Sequence, residues 1–452
     1  VSSKLIADKD VIFQAPVDDG KIYIREETGK YQRIRRYLNV ILVLLFILLP
    51  FIQYHGQQAI LFDVGEQTLT LFSIKLFPQD LIIFGLLFML SAFALFFVSV
   101  RYGRVWCGFT CPQTVWSLLF NWVERRIEGT HNQSRALDKA PWRPEKIIKK
   151  SAKHALWLAI SLITALTFMS YFVPLRQLYS DFFTLSSSAL VMGWVMTLAV
   201  CTYLNAGWMR EKMCQHMCPY SRFQSAMFDA STKVVTYDAT RGENRGPRKR
   251  GQAVANLGDC VDCKLCVQVC PAGIDIRDGL QYECINCGLC VDACNKVMDK
   301  FGYAKELIGF RGEKAASSRG IGQWLYGVAS VVMLAGIVLW ATTWQSFEVG
   351  VIRDRQSLYR INNDGMVENT YTLTLLNKSS YTKTFDLTVA GLEGATLSEA
   401  GTFTVEPGEK RNFVLTLTVD DEPEAKVSNF DFIFEVKQSK EVVTHESMFY
   451  SG

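Results

Sequence analysis

Eight of the 13 cysteines in this 452-residue chain fall between residues 260 and 294. They read Cys260-Val-Asp-Cys-Lys-Leu-Cys-Val-Gln-Val-Cys-Pro and, further on, Cys284-Ile-Asn-Cys-Gly-Leu-Cys-Val-Asp-Ala-Cys. Each half is a Cys-x2-Cys-x2-Cys-x3-Cys run, the bacterial-type signature for a [4Fe–4S] cluster. A cubane offers four iron corners, and three thiolates two residues apart on a tight loop can wrap three of them. The fourth cysteine of each run lies too far along to close its own cluster, so it crosses to the other. The spacing assigns one cluster to Cys260, Cys263, Cys266 and Cys294 and the second to Cys284, Cys287, Cys290 and Cys270. Zinc knuckles would use two Cys-x2-Cys pairs and leave four cysteines idle. A disulfide array does not suit a stretch that lies on the reducing side of a membrane. The chemistry predicted is one-electron transfer by a two-cluster ferredoxin module.

A second set of cysteines stands outside this stretch. Trp106-Cys107-Gly-Phe-Thr-Cys111-Pro112 and Met213-Cys214-Gln-His-Met-Cys218-Pro219 superimpose on a shift of 107 residues, with Trp116 falling on Phe223. Cysteines at i and i+4 share one helix face, about 6 Å apart, and proline suits the first turn of a following helix. Three readings remain open for Cys107, Cys111, Cys214 and Cys218: inert packing, a redox disulfide exchanging electrons with the clusters, or a metal centre. Four thiolates suit a soft ion such as Cu(I) or a further iron–sulfur cluster. Met213, His216 and Met217 are interleaved with the second pair and could add soft ligands, whereas Met192 and Met196 read as gap-filling residues of a membrane helix. His55, His131, His154 and His445 read as structural or solvent-exposed, and Cys201 as packing.

The elements that must position these cysteines are mostly apolar. The chain is 49% hydrophobic and 12% aromatic with a formal charge of +4, too apolar for a soluble ferredoxin and without cause to expect nucleic acid. Five apolar runs, roughly 37–54, 81–100, 154–173, 189–208 and 322–343, are long enough to span a bilayer. Lys and Arg number eight in residues 1–36 and eleven in 101–153, against Lys75 alone in 55–80 and Arg176 alone in 174–188. Positive charge stays inside, so the N-terminus, the 101–153 loop and the ferredoxin stretch are placed in the cytoplasm and the C-terminal residues outside. The 36 mostly polar residues before the first run give no sign of a cleavable signal, and the absence of an initiator Met suggests a trimmed N-terminus. The first four spans form two repeats, each a hairpin, a Cys-x3-Cys-Pro motif at the cytoplasmic surface and an amphipathic stretch (114–127 and 221–230). A pseudo-twofold axis would bring the two motifs face to face.

The predicted fold is therefore an α-helical membrane protein with five transmembrane helices, an inserted two-[4Fe–4S] ferredoxin module and a C-terminal all-β immunoglobulin-like sandwich. Its parts are a cytoplasmic segment (1–36), the four-helix repeat region (37–230) and a basic Gly-rich linker read as a flexible tether that attracts anionic lipid (231–258). The ferredoxin domain (259–300), a connector with the fifth helix (301–343) and the outer domain (344–452) follow. In the last, Tyr371-Thr-Leu-Thr-Leu-Leu, Thr384-Phe-Asp-Leu-Thr-Val, Phe413-Val-Leu-Thr-Leu-Thr-Val and Phe430-Asp-Phe-Ile-Phe-Glu-Val read as strands separated by turn residues. About seven strands suggest the sandwich, with no cysteine pair to staple it and partner docking as its default role.

These motifs together resemble a family. Cys263 through Cys284, Val105 through Trp116 and Lys212 through Gln224 are similar to the cytochrome c oxidase accessory proteins called CcoG, FixG or RdxA, and more distantly to membrane polyferredoxins of nitrate and nitrous oxide reduction. The likeness covers nearly the whole chain. One departure is Asn295, where proline would follow the second quartet, which touches the loop after Cys294 and not the ligand count. The resemblance implies a bacterial inner-membrane protein that helps to assemble cbb3-type oxidase by reducing Cu(II) to Cu(I). Implied partners are the lipid bilayer, copper ions, cbb3 assembly factors or a copper chaperone, and a cytoplasmic electron donor that the sequence does not name. A homodimer is compatible with it. Two rival readings are an electron conduit between quinone or a cytoplasmic donor and another membrane reductase, and a non-catalytic assembly scaffold or redox sensor.

Overall fold

A computed structural model describes residues 21–452 apart from 55, 73, 81, 229–230, 250–255, 313–320, 355–357, 363–364, 380, 399–401, 420–425 and 452. His55 and parts of the N-terminal segment, basic linker and connector lie outside the described residues. The chain divides into two compact units, one containing Phe84–Ile337 with the residues up to Leu49, the other Pro50–Ile83 with Val338–Gly452.

Five helical stretches among the described residues are long and apolar enough to cross a membrane: Lys30–Phe51, Pro78–Tyr102, Pro144–Met169, Ala189–Met209 and Trp324–Thr343. They overlie the five apolar runs but start and stop elsewhere, because local chemistry sets the ends. Pro144 occupies the first turn of the third helix, where its missing N–H costs nothing, so the helix begins ten residues before the apolar run. Ser188 caps the fourth, its Oγ accepting the Val191 N–H at 3.3 Å. That helix then widens into π-helical turns over Tyr203–Met209. Large apolar side chains such as Leu44, Phe88, Trp194, Trp324 and Leu339 stand exposed along these helices, an apolar surface of the kind that membrane or partner contact covers.

In the first unit, the ferredoxin stretch is folded against its flanks. Strands Val234–Tyr237 and Ile308–Arg311 pair antiparallel, so the beginning of the expected tether closes on the connector. Further along, Gly246 N–H donates to the Cys260 carbonyl at 3.2 Å, Arg248 donates to the carbonyls of Gly258 and Cys260, and Arg241 pairs with Asp259 at 2.7 Å. Rather than hanging free, the described part of this basic segment wraps the first cluster loop, because its arginines find carbonyls and a carboxylate there.

The second unit is an immunoglobulin-like sandwich. One sheet runs in the order Ala395–Leu397, Lys410–Val419, Val367–Asn377, Phe347–Arg353, and the other Thr402–Val405, Lys383–Ala390, Val427–Val436, Val442–Tyr450. All four predicted strand segments lie in these strands. Their alternate residues, including Tyr371, Leu373, Phe385, Leu415, Phe432 and Phe434, meet in one core, which holds the sheets together without a disulfide. The three-stranded meander Ile60–Asp63, Thr68–Leu71, Ile74–Leu76 belongs to the same unit. Lys75 N–H donates to the Lys378 carbonyl at 3.0 Å, and the Lys378 ammonium lies 3.1 Å from the carboxylates of Asp80 and Glu348.

Candidate metal and electron-transfer site

The ferredoxin cysteines are presented by two equivalent loops. Asp262 and Lys264 in the first, and Asn286 and Gly288 in the second, all take positive φ, which turns the backbone tightly enough to aim successive thiols inward. Cys260, Cys263, Cys266 and Cys294 line one small cavity. Cys270, Cys284, Cys287 and Cys290 line another, which Cys266 also reaches. All are free thiols, and the two sets of four are those that close a cubane each. Burial pushes Cys266 and Cys294 up to about 12, so it takes the positive charge of bound iron to make them thiolates. Cys263 is exposed while Cys260, Cys266 and Cys287 are buried, so the first quartet is the one nearer solvent.

The second set also comes together. Cys107, Cys111, Cys214 and Cys218 line a single cavity of about 320 Å³, with Met213 and Met217 on its wall. His216 is exposed and is not part of that lining. His131, read from sequence as structural or solvent-exposed, begins the helix His131–Lys139 and lines the cavity. Each motif is a helical turn that ends at its second cysteine. Cys107 sits in Val105–Phe109 and Cys111 precedes the helix Pro112–Glu128. Cys214 sits in Met213–Met217 and Cys218 precedes Pro219–Ala226.

The same hydrogen bonds fasten both turns. Cys111 N–H donates to the Trp106 carbonyl and Cys218 N–H to the Met213 carbonyl, each at 2.9 Å. Thr114 Oγ1 donates to the Cys107 carbonyl at 2.5 Å, and Ser221 Oγ to the Cys214 carbonyl at 2.6 Å. Thr114 and Ser221 are themselves related by the repeat of 107 residues. The symmetry thus extends from the cysteines to the groups that hold them.

Charge around the cavity is uneven. Arg104, only 3% exposed, donates through its two terminal nitrogens to the carbonyls of Tyr282 and Ser221. Its Nε has no partner. Burial pushes the Cys107 thiol up to about 12, with Cys111 pushing the same way and Arg104 opposing. Burial likewise raises Cys214 to about 12, again against Arg104. Burial would raise Glu124 also, yet Arg210 and Lys21 overcome it and hold the carboxyl down at about 2. Arg210 lies 2.6 Å from one Glu124 oxygen and Lys21 2.6 Å from the other.

The two cysteine systems are in contact. Cys107 packs in one apolar cluster with Val269, Ile285, Cys287 and Leu289. Gly108 comes so near the second cluster loop that a Cβ there would lie 2.7 Å from the Ile285 carbonyl oxygen and 3.0 Å from the Cys287 Cα. Arg104 acts electrostatically on Cys284 as well as on Cys107 and Cys214. The order in space runs from the exposed first quartet through the Cys270, Cys284, Cys287, Cys290 set to the four-cysteine cavity. Sequence reasoning missed Arg104, Thr114, Ser221 and Gln224, whose side-chain oxygen lies 3.3 Å from Cys107 Sγ. The repeat offered a signal only for Thr114 and Ser221.

Comparison with known proteins agrees with this anatomy. Residues 209–313 match a 4Fe-4S dicluster domain, residues 83–130 a 4Fe-4S binding domain, and residues 337–452 the IG-like fold at the C-terminal of FixG. The chain is 34% identical over 425 residues to nitrogen fixation protein FixG of Rhizobium meliloti, covering 84% of this chain and 81% of that protein. It is 34% identical over 396 residues to protein RdxA of Cereibacter sphaeroides, covering 82% and 83%. The crystal structure of a FixG-related protein from Vibrio parahaemolyticus matches at 33% identity over 24% of this chain and 98% of that one, with a TM-score of 0.23. With two cluster loops, the C-terminal sandwich and these relatives, the chain belongs to the FixG/RdxA family of iron–sulfur electron-transfer proteins.

Proposed function

We propose that this protein is a cupric reductase of the bacterial inner membrane that supplies Cu(I) for assembly of a cbb3-type oxidase. The observation that carries the reading is the packing of Cys107 and Gly108 on the loop of Cys287, which sets a ferredoxin module directly against a cavity lined by four soft ligands. The clusters held by the eight ferredoxin cysteines supply one-electron transfer, the stoichiometry of Cu(II) to Cu(I). The cysteines of the paired motifs bind and present the ion or carry the electron to it, and Met213 and Met217 add thioether sulfur on the same wall. His216 serves only if it turns inward from its exposed position. Exposed Cys263 marks where a cytoplasmic donor would deliver electrons.

The orientation proposed keeps the N-terminus and ferredoxin in the cytoplasm and the sandwich in the periplasm. Its support is the distribution of Lys and Arg, eight in residues 1–36 and eleven in 101–153 against one each in 55–80 and 174–188. Docking of oxidase assembly factors or a copper chaperone falls to that outer domain.

The test is anaerobic Cu(II) reduction by purified full-length protein with a sustained reductant and a Cu(I)-trapping chelator. Wild type should turn over beyond its own stored electrons. Cys107→Ser, Cys111→Ser, Cys214→Ser and Cys218→Ser should each lose most turnover while the ferredoxin iron is retained. Unchanged turnover in all four variants removes these cysteines from the mechanism, and a wild type no faster than free copper removes the reductase.

A further inference from the structure

The residues around the four-cysteine cavity say which centre it suits, and the answer deepens the proposed function. Cys107, Cys111, Cys214 and Cys218 all line one cavity of about 320 Å³, which has room for a centre of several atoms.

Two further observations point the same way. Arg104 lines this cavity, is 3% exposed and leaves Nε without a partner. A buried guanidinium N–H among thiols is matched to cluster sulfur, and its charge offsets the net negative charge of iron–sulfur held by four thiolates. The 4Fe-4S binding-domain match at residues 83–130 contains Cys107 and Cys111 as its only cysteines. Two thiolates cannot hold a cluster that needs four, and the partners the fold supplies are Cys214 and Cys218 from the second repeat.

We propose that Cys107, Cys111, Cys214 and Cys218 jointly bind a third iron–sulfur cluster across the two repeats, with Arg104 as its buried counter-charge. The copper ion is then reduced beside this cluster instead of being ligated by all four thiols.

Iron and acid-labile sulfide are counted on full-length protein purified anaerobically and reconstituted with Fe(II) and sulfide. Two ferredoxin clusters account for about eight irons. Wild type should carry about twelve if the third centre is a cubane, or about ten if it is [2Fe–2S]. The quadruple Cys→Ser variant should fall back to about eight while keeping the ferredoxin electron paramagnetic resonance signal. Should that variant fail to fold, Cys111→Ser with Cys218→Ser gives the same reading, since both residues are only half-buried. Arg104→Gln should keep the iron and lower the midpoint potential of the extra centre, with Arg104→Lys restoring part of the shift. A reconstituted wild type that stops at about eight irons, or a count that the quadruple variant leaves unchanged, overturns the proposal. So does stoichiometric binding of one Cu(I) by these four cysteines at that iron content. Iron content is read without copper, so its outcome is separate from that of the turnover assay.

Discussion

At Gly108 a single hydrogen on Cα decides how near the paired-cysteine turn comes to the second cluster loop. The virtual Cβ meets backbone atoms of Ile285 and Cys287, which cannot swing aside as a long side chain would. Gly108→Ala should therefore push the turn away, at an overpacking cost of about 1–3 kcal/mol. Thermal unfolding would register that cost, and copper turnover should fall while the ferredoxin iron stays. Glu124 sets a pH dependence at the same scale. Its folded carboxyl sits at about 2, below an unfolded value of about 4.3. A depressed carboxylate contributes stability above its unfolded value and loses it as pH falls through the window from about 4.3 to 2, on the order of 3 kcal/mol in all. The gap in melting temperature between wild type and Glu124→Gln should be widest near neutral pH and close on acidification through that window. A gap that does not change with pH would count against the ion pairs with Arg210 and Lys21. All twelve cysteines of the site were legible in the sequence because thiols are rare and their intervals repeat. Arg104 and Gln224 were not, since neither residue type nor interval distinguishes them until the fold brings them to Cys107.

Elements show a similar division between what periodicity reveals and what only a distant partner explains. The five apolar helices and the sandwich strands follow from runs and alternation along the chain. Helix Lys30–Leu48 begins where it does for a reason 260 residues away. Its own capping residue, Gly29, offers no side chain, and the first N–H groups are met by Asp292, whose oxygens accept from Tyr31 at 3.3 Å and Gln32 at 2.9 Å. Asp292 lies between Cys290 and Cys294, so the helix start is fastened to the second cluster loop. Farther along, Arg35 Nε donates to the Gly108 carbonyl at 2.8 Å and Asn39 to the Val115 carbonyl at 2.7 Å. One helix thereby holds the ferredoxin and the first paired-cysteine motif in register. Asp292→Ala removes the cap and a carboxylate from a helix N-terminus, a loss of about 1–2 kcal/mol. Denaturation of the detergent-solubilised protein should show it, with Asp292→Asn retaining most of the stability. The basic segment before Cys260 reads as a tether in sequence, and its described part differs for a related reason. Glycine and arginine in sequence read as mobility and charge, whereas here Arg248 is held by carbonyls of the first cluster loop and Arg241 by Asp259.

For the whole molecule, the proposed sidedness rests on the distribution of Lys and Arg. Charge counting separates the 1–36 and 101–153 segments from the 55–80 and 174–188 loops. Each unit also has contacts of its own. Lys21 and Tyr23 bind Asp138 at 3.1 and 2.7 Å, and Ile74 bridges to Ser379. A protease site inserted at the exposed turn around Glu66, and a second at Gly129–Thr130, would read the orientation on the intact chain. Protease added to spheroplasts should cut the first and spare the second, and inverted vesicles should give the reverse. The opposite pattern would put the ferredoxin outside, where reducing equivalents from the cytoplasm could not reach exposed Cys263. Cleavage of both sites from one side would mean that one of the five apolar helices does not cross. The opposite pattern would undo the copper proposal at its first step, because a ferredoxin in the periplasm has no cytoplasmic donor to draw on.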